Sequence, residues 1–186
     1  MNTPDLEPHQ QVVSALSIAE RLPVLAQEII QAYGESLEGI VIVPVMTGAF
    51  IFAADLVRRL PDRVHVDAIT VRSYGGGTVS KGPRIDGAMP GIIGRHVLLV
   101  DDILDSGRTI NYLRQEMLDR GAASVRACVL LRKMIPAAMH TPCEFIGFDI
   151  PDLFVAGYGL DYDGWFRNLP EVVSLRKCAE TSAVVR

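Results

Sequence analysis

Three carboxylates and a hydroxyl-bearing turn fall within nine residues: Asp101-Asp102-Ile103-Leu104-Asp105-Ser106-Gly107-Arg108-Thr109. They follow directly on the apolar run Val97-Leu98-Leu99-Val100, which reads as a buried parallel strand. Carboxylates at the carboxyl end of such a strand hold a metal ion or sugar hydroxyls. The Ser106–Thr109 turn opens a helix, so it offers backbone N–H groups, two hydroxyls and one guanidinium to a phosphate. Together these chemistries suit a phosphorylated sugar. A plainer use of the same residues is capping, with Asp105 accepting from the Gly107 or Arg108 amide.

The elements that must carry this loop alternate along the chain. Leu22, Leu25, Ala26, Ile29 and Tyr33 recur at helical spacing, with a Ser17/Glu20 capping box and Gly34 as a stop. Pro23 places the start of that helix near Glu20. Gly39 to Val45 reads as a strand, and Thr47-Gly48-Ala49 turns it into a helix that presents Phe50, Ala53, Ala54 and Val57 to the core and stops before Pro61. Val64 to Val71 is a third strand candidate. From Tyr74-Gly75-Gly76-Gly77 to Gly94 the periodicity fades into a long loop of functional character.

The strand at Val97, a helix with Ile110, Leu113 and Met117 on one face, and a strand from Ser124 to Leu131 make a βαβ unit. Short strands around Phe145 and Val155 precede a polar tail. The expectation is one α/β domain, a mostly parallel twisted sheet flanked by helices. Residues 1–16 are expected as a mobile arm, 17–170 as the domain and 171–186 as a tail. Ligands of such a sheet bind outside the strands' carboxyl ends, where loops 46–49 and 101–109 converge.

At 186 residues the chain suits a single core, and its 49% hydrophobic and 22% charged residues are those of a globular protein. A net charge of −4 argues against nucleic acid as a partner. No apolar run is long enough to span a bilayer, and the acidic, proline-containing start is no signal peptide. Cys128, Cys143 and Cys178 lack metal-ligand spacing and read as thiols in a reducing compartment, with the cytoplasm as default.

Residues 97–109 resemble the phosphoribosyl-diphosphate signature of type I phosphoribosyltransferases. Lys133 and the block Asp152 to Tyr162 resemble the purine-binding part of the hypoxanthine–guanine phosphoribosyltransferases, and Asp163 to Leu169 with Arg167, Met46-Thr47-Gly48-Ala49 and Ser73-Tyr74 continue the match. The resemblance covers roughly residues 17 to 170. The signature alone identifies the superfamily, and the C-terminal block narrows it to 6-oxopurines. It implies that family's fold with a small C-terminal hood. The implied reaction is transfer of the 5-phosphoribosyl group from phosphoribosyl diphosphate to N9 of hypoxanthine or guanine in purine salvage, yielding IMP or GMP and pyrophosphate, with Mg²⁺ as cofactor. Assembly as a homodimer or homotetramer is implied as well.

The resemblance also implies roles. Asp105 is the catalytic base or proton partner at the purine N7. Asp101 and Asp102 contact the ribose hydroxyls and their metal, and Ser106, Gly107, Arg108 and Thr109 hold the 5′-phosphate. Lys133 donates to the purine O6, Phe154 stacks on the base, and the Val155 backbone reads its edge. Asp161 binds Mg²⁺ on the pyrophosphate side, where Thr47, Gly48 and Arg167 contact the diphosphate. Ser73 and Tyr74 begin a mobile lid, with the glycines behind them for freedom. Thr47 departs from the pattern, because many relatives carry Lys or Arg there. The family holds a cis peptide in this loop, a feature that no residue type at Met46–Thr47 encodes.

Three other readings compete. Xanthine differs from the expected bases only at C2 and stays open, whereas Lys133 and Phe154-Val155 argue against adenine and orotate. A regulator that senses phosphoribosyl diphosphate without catalysis would be expected to carry a basic face or a nucleic-acid-binding module. An Asp-nucleophile phosphatase requires two Asp separated by one residue, which the adjacent Asp101-Asp102 does not supply.

Overall fold

The computed structural model describes residues 4–73 and 82–178. Its sheet is organised around the predicted central strand. Val97 to Val100 are fully buried. Leu98 and Val100 pack on one side, with the helix α1 (Ala15–Tyr33) and the helix α2 (Phe50–Val57); Val97 and Leu99 pack on the other, with α3 (Arg108–Asp119). Burial on both faces explains the unbroken apolar run, as expected for a parallel strand covered by helices.

The strands are β1 (Leu6–Val13), β2 (Val41–Met46), β3 (His65–Val66), β4 (Ile69–Ser73), β5 (Pro83–Asp86), β6 (His96–Leu104), β7 (Ser124–Lys133), β8 (Phe145–Ile150), β9 (Val155–Ala156) and β10 (Val172–Lys177). The main sheet runs β5-β4-β2-β6-β7-β8, with β3 also beside β2. Every pairing in it is parallel except β4 with β5. A fourth, one-turn helix α4 (Pro136–Met139) follows β7.

Several local expectations are corrected. Helix α1 begins at Ala15, capped by Ser14, whose hydroxyl accepts from the Ser17 amide at 3.0 Å, and it carries Pro23 in its interior. The buried face Ile18-Leu22-Leu25-Ala26-Ile29-Tyr33 spans both sides of the proline and outweighs the lost hydrogen bond. In α2 the core face is Phe52, Ala53 and Leu56, whereas Phe50 and Ala54 point outward. Part of the loop expected from Tyr74-Gly75-Gly76-Gly77 to Gly94 is the strand β5, which closes antiparallel on β4.

The termini differ most. Residues expected as an arm and a tail pair antiparallel as β1 and β10, and β9 completes a three-stranded hood. The hood therefore draws on both ends of the chain. It fixes the segment before β9, because the Leu175 N–H donates to the Phe154 carbonyl at 3.1 Å.

Candidate active site

Parallel register carries the carboxylate loop to the edge of the sheet. Strand β6 runs on to Leu104, past the expected end at Val100, so Asp101 and Asp102 lie within the strand and Asp105 just beyond it. The strand continues because β7 keeps pairing with it, to Leu104 opposite Arg132. Helix α3 starts at Arg108 behind Gly107, which sits at φ +74° and makes no side-chain cap. The capping position is that of Gly107, and no hydrogen bond from the Gly107 or Arg108 amide to Asp105 is found among the described residues.

Two adjoining clefts open at this edge. One, of about 280 Å³, is lined by the loop from Asp101 to Ile110 and by Val45, Met46, Gly48 and Val71. The other, of about 230 Å³, contains Lys133, Phe154, Val155 and Asp161. Asp102, Ile103 and Asp105 line both. The first cleft takes the predicted phosphate and ribose residues together with Gly48; the second takes the predicted purine residues.

Asp101 is 7% exposed and its Oδ1 accepts from the Asp102 amide at 3.0 Å. Asp102 Oδ1 accepts from the Ile103 amide at 2.8 Å. Burial raises the Asp101 carboxyl well above the ordinary range, and the neighbouring Asp102 charge adds to the rise. Burial also raises Asp102, against its hydrogen bonds and the Arg167 charge. Two adjacent carboxylates with this little solvent form a site that favours positive charge.

Around them the backbone is packed to contact. A Cβ on Gly48 would fall 1.8 Å from Asp102 Oδ2, and one on Gly159 would fall 2.2 Å from the Gly48 carbonyl. A Cβ on Gly107 would fall 1.9 Å from Thr141 Oγ1, so the 105–109 loop rests on Thr141. The Met46–Thr47 peptide is cis.

Lys133 Nζ lies 3.5 Å from Asp105 Oδ1 and 3.0 Å from Asp152 Oδ1. Phe154 is 55% exposed and stands edge-on to Tyr162, with ring centroids 5.8 Å apart. Asp161 pairs with Arg167 at 2.7 Å and accepts from the Gly164 amide at 2.7 Å. Arg167 also donates to the Gly159 carbonyl at 2.6 Å. Ser73 ends β4, while Tyr74 and the glycines of the expected lid lie outside the described residues.

Sequence reasoning gave no role to Thr141, Gly159 or Asp152. Thr141 and Gly159 meet the site only through tertiary contact, and no local signal marks them. Asp152 was open to detection from strand register, since the ends of β7 and β8 must emerge together.

A family model described as "Phosphoribosyl transferase domain" matches residues 11–163. A hypoxanthine-guanine phosphoribosyltransferase of Aquifex aeolicus is 41% identical over 157 residues, 83% of this chain and 88% of that protein. A Trypanosoma cruzi hypoxanthine phosphoribosyltransferase, solved as a ternary complex with substrates, superposes with TM-score 0.83 at 36% identity, covering 91% of this chain and 96% of that one. Another structure of the T. cruzi enzyme, from work on the role of its C-terminal region in oligomeric state and activity, superposes at 0.81 with 34% identity, covering 95% of each chain. This chain belongs to the phosphoribosyltransferase family, among its hypoxanthine–guanine phosphoribosyltransferases.

Proposed function

We propose that the protein transfers the 5-phosphoribosyl group of phosphoribosyl diphosphate to N9 of hypoxanthine or guanine, giving IMP or GMP and pyrophosphate. The observation that carries this reading is the placing of Lys133 Nζ beside Asp105 in a cleft that Asp102 shares with the phosphate loop. An ammonium for O6 and a carboxylate for N7 then stand within the span of one purine. Phe154 offers its exposed ring to the base, and the Val155 backbone takes the purine edge. A 6-aminopurine would set a donor against the ammonium and leave its cleft-facing N–H without an acceptor.

The donor set fits Mg²⁺. Asp101 and Asp102 offer hard oxygen ligands on one strand, and no group of three or more metal-ligating side chains is found among the described residues. Such oxygens are the ligands that Mg²⁺ would take. When bound, it would supply charge neutralisation for the diphosphate. The chain's own residues do the rest. Ser106 to Thr109 hold the 5′-phosphate at the start of α3. Gly48 and the Thr47 amide approach the diphosphate, and Arg167 is assigned to it with Asp161 on the metal side. Asp105 takes or holds the proton at N7 as positive charge grows on the ribose ring. Ser73 and Tyr74 are assigned to the closing lid.

Homodimers or homotetramers and a cytoplasmic location complete the proposal, the latter fitting three free cysteines. No helix among the described residues is long and apolar enough to cross a membrane. The test is to incubate the protein with phosphoribosyl diphosphate, Mg²⁺ and, separately, hypoxanthine, guanine, xanthine and adenine, following nucleotide formation. Hypoxanthine or guanine is expected to react and adenine to fail; no nucleotide from any base overturns the reading.

A further inference from the structure

Three strands leave the sheet side by side at the purine cleft. Leu104 of β6 pairs with Arg132 of β7, and Arg132 with Asp149 of β8. The chains next deliver Asp105, Lys133 and Ile150, and Asp152 follows two residues later. The Met134 N–H donates to the Ile150 carbonyl at 2.8 Å, which holds the end of β7 against the end of β8. In this frame the Lys133 side chain is only 12% exposed, and its ammonium lies between two carboxylates, nearer Asp152 than Asp105.

We propose that Asp152 is a positioning residue for base recognition: it holds the Lys133 ammonium off Asp105 and toward the purine O6. The inference rests on the reading of Lys133 as the O6 donor. An ammonium has three N–H donors. Ion-paired to Asp152 at 3.0 Å and to Asp105 at 3.5 Å, it keeps at least one donor for an acceptor in the cleft. If the Asp152 charge is removed, Asp105 is the one carboxylate left within ion-pair distance of Lys133 among the described residues. The ammonium then collapses onto Asp105, which withdraws it from O6. Stability is not the role. The Asp152 side chain is 62% exposed, and an ion pair to so open a carboxylate adds little to folding.

The test is steady-state kinetics on Asp152→Asn, Asp152→Glu, Lys133→Met and the Asp152→Asn/Lys133→Met double variant, with thermal melting of each. Asp152→Asn is expected to raise the KM for hypoxanthine about tenfold, the loss of one charge-assisted hydrogen bond, with the KM for phosphoribosyl diphosphate within about twofold of the parent. Asp152→Glu restores the base KM, and the melting temperature of Asp152→Asn stays at that of the parent. In the Lys133→Met background the same substitution is silent, because its effect runs through Lys133. An unchanged base KM in Asp152→Asn, beside a raised one in Lys133→Met, overturns the role of Asp152 alone. An unchanged base KM and unchanged adenine rejection in Lys133→Met overturn the purine reading and this inference with it.

Discussion

Gly48 sits against the Asp102 carboxylate, so that a Cβ at position 48 would overlap Asp102 Oδ2 at 1.8 Å and Asp102 Cγ at 2.7 Å. The 46–49 loop and the Asp102 carboxylate are thus a single packed unit. Gly48→Ala forces Asp102 to shift by an ångström or more while removing no buried apolar surface. A displacement of about 1 Å in a catalytic group costs on the order of 100-fold in rate. We expect kcat/KM for phosphoribosyl diphosphate to fall by about that factor, with a far smaller effect on melting temperature. Parent-like kinetics would show that the two loops move independently.

Gly159 closes the other side of this unit. Its φ of +105° is one that side chains resist, and its Cβ would meet the Gly48 carbonyl at 2.2 Å. That carbonyl is backbone, not a flexible side-chain tip, so Gly159→Ala strains the chain at 159 together with the 46–49 loop. A cost of about 2 kcal/mol is expected, which for a chain of this size lowers the melting temperature by roughly 4–8 °C. Differential scanning calorimetry measures it directly.

The role proposed for Asp105 separates chemistry from binding. Its side chain makes no cap to α3 and reaches Lys133 instead. Asp105→Asn keeps the shape and a hydrogen-bonding group but loses the proton acceptor. Turnover is expected to fall about 10²–10⁴-fold, the usual worth of a positioned acid or base. Binding of phosphoribosyl diphosphate, followed by calorimetry, should persist. Undiminished turnover would remove Asp105 from the proton step.

What the sequence discloses follows how local each signal is. Val97 to Val100 announce a doubly covered strand because all four lie at full burial. Ile110, Leu113 and Met117 announce α3 because all three face one core. The 101–109 loop, Lys133 and Phe154 stand out because their residue types are chemically unusual where they lie, and the structure brings them to adjoining clefts. Strand β1 does not stand out. Its central residues Glu7 to Gln10 are mostly exposed and polar, and it exists through pairing with residues some 160 positions away. In α2 the expected core face holds at Ala53 and Val57 and fails at Phe50 and Ala54, which are exposed. The nearness of Asp152 to Lys133 follows only from the shared register of β6, β7 and β8.

Acid should weaken the fold through a group remote from the site. Glu144 receives both terminal nitrogens of Arg114, at 3.0 and 2.9 Å, and the Ala127 amide at 2.7 Å. Burial alone would push its carboxyl up; the Arg114 and amide hydrogen bonds prevail and hold it below its ordinary value of 4.5. A carboxyl depressed in the folded state binds its proton more weakly than in the unfolded chain. Its contribution is therefore complete above the unfolded value and is lost as pH falls through the folded one. Glu144→Gln should lower stability at neutral pH and flatten the decline on the acid side. Urea unfolding at about pH 7, 5 and 3 reads both effects, and the gap between parent and variant should close toward the lowest pH. A gap that stays constant with pH would mean that Glu144 supports Arg114 and β7 by packing and neutral hydrogen bonds, with no part for its charge.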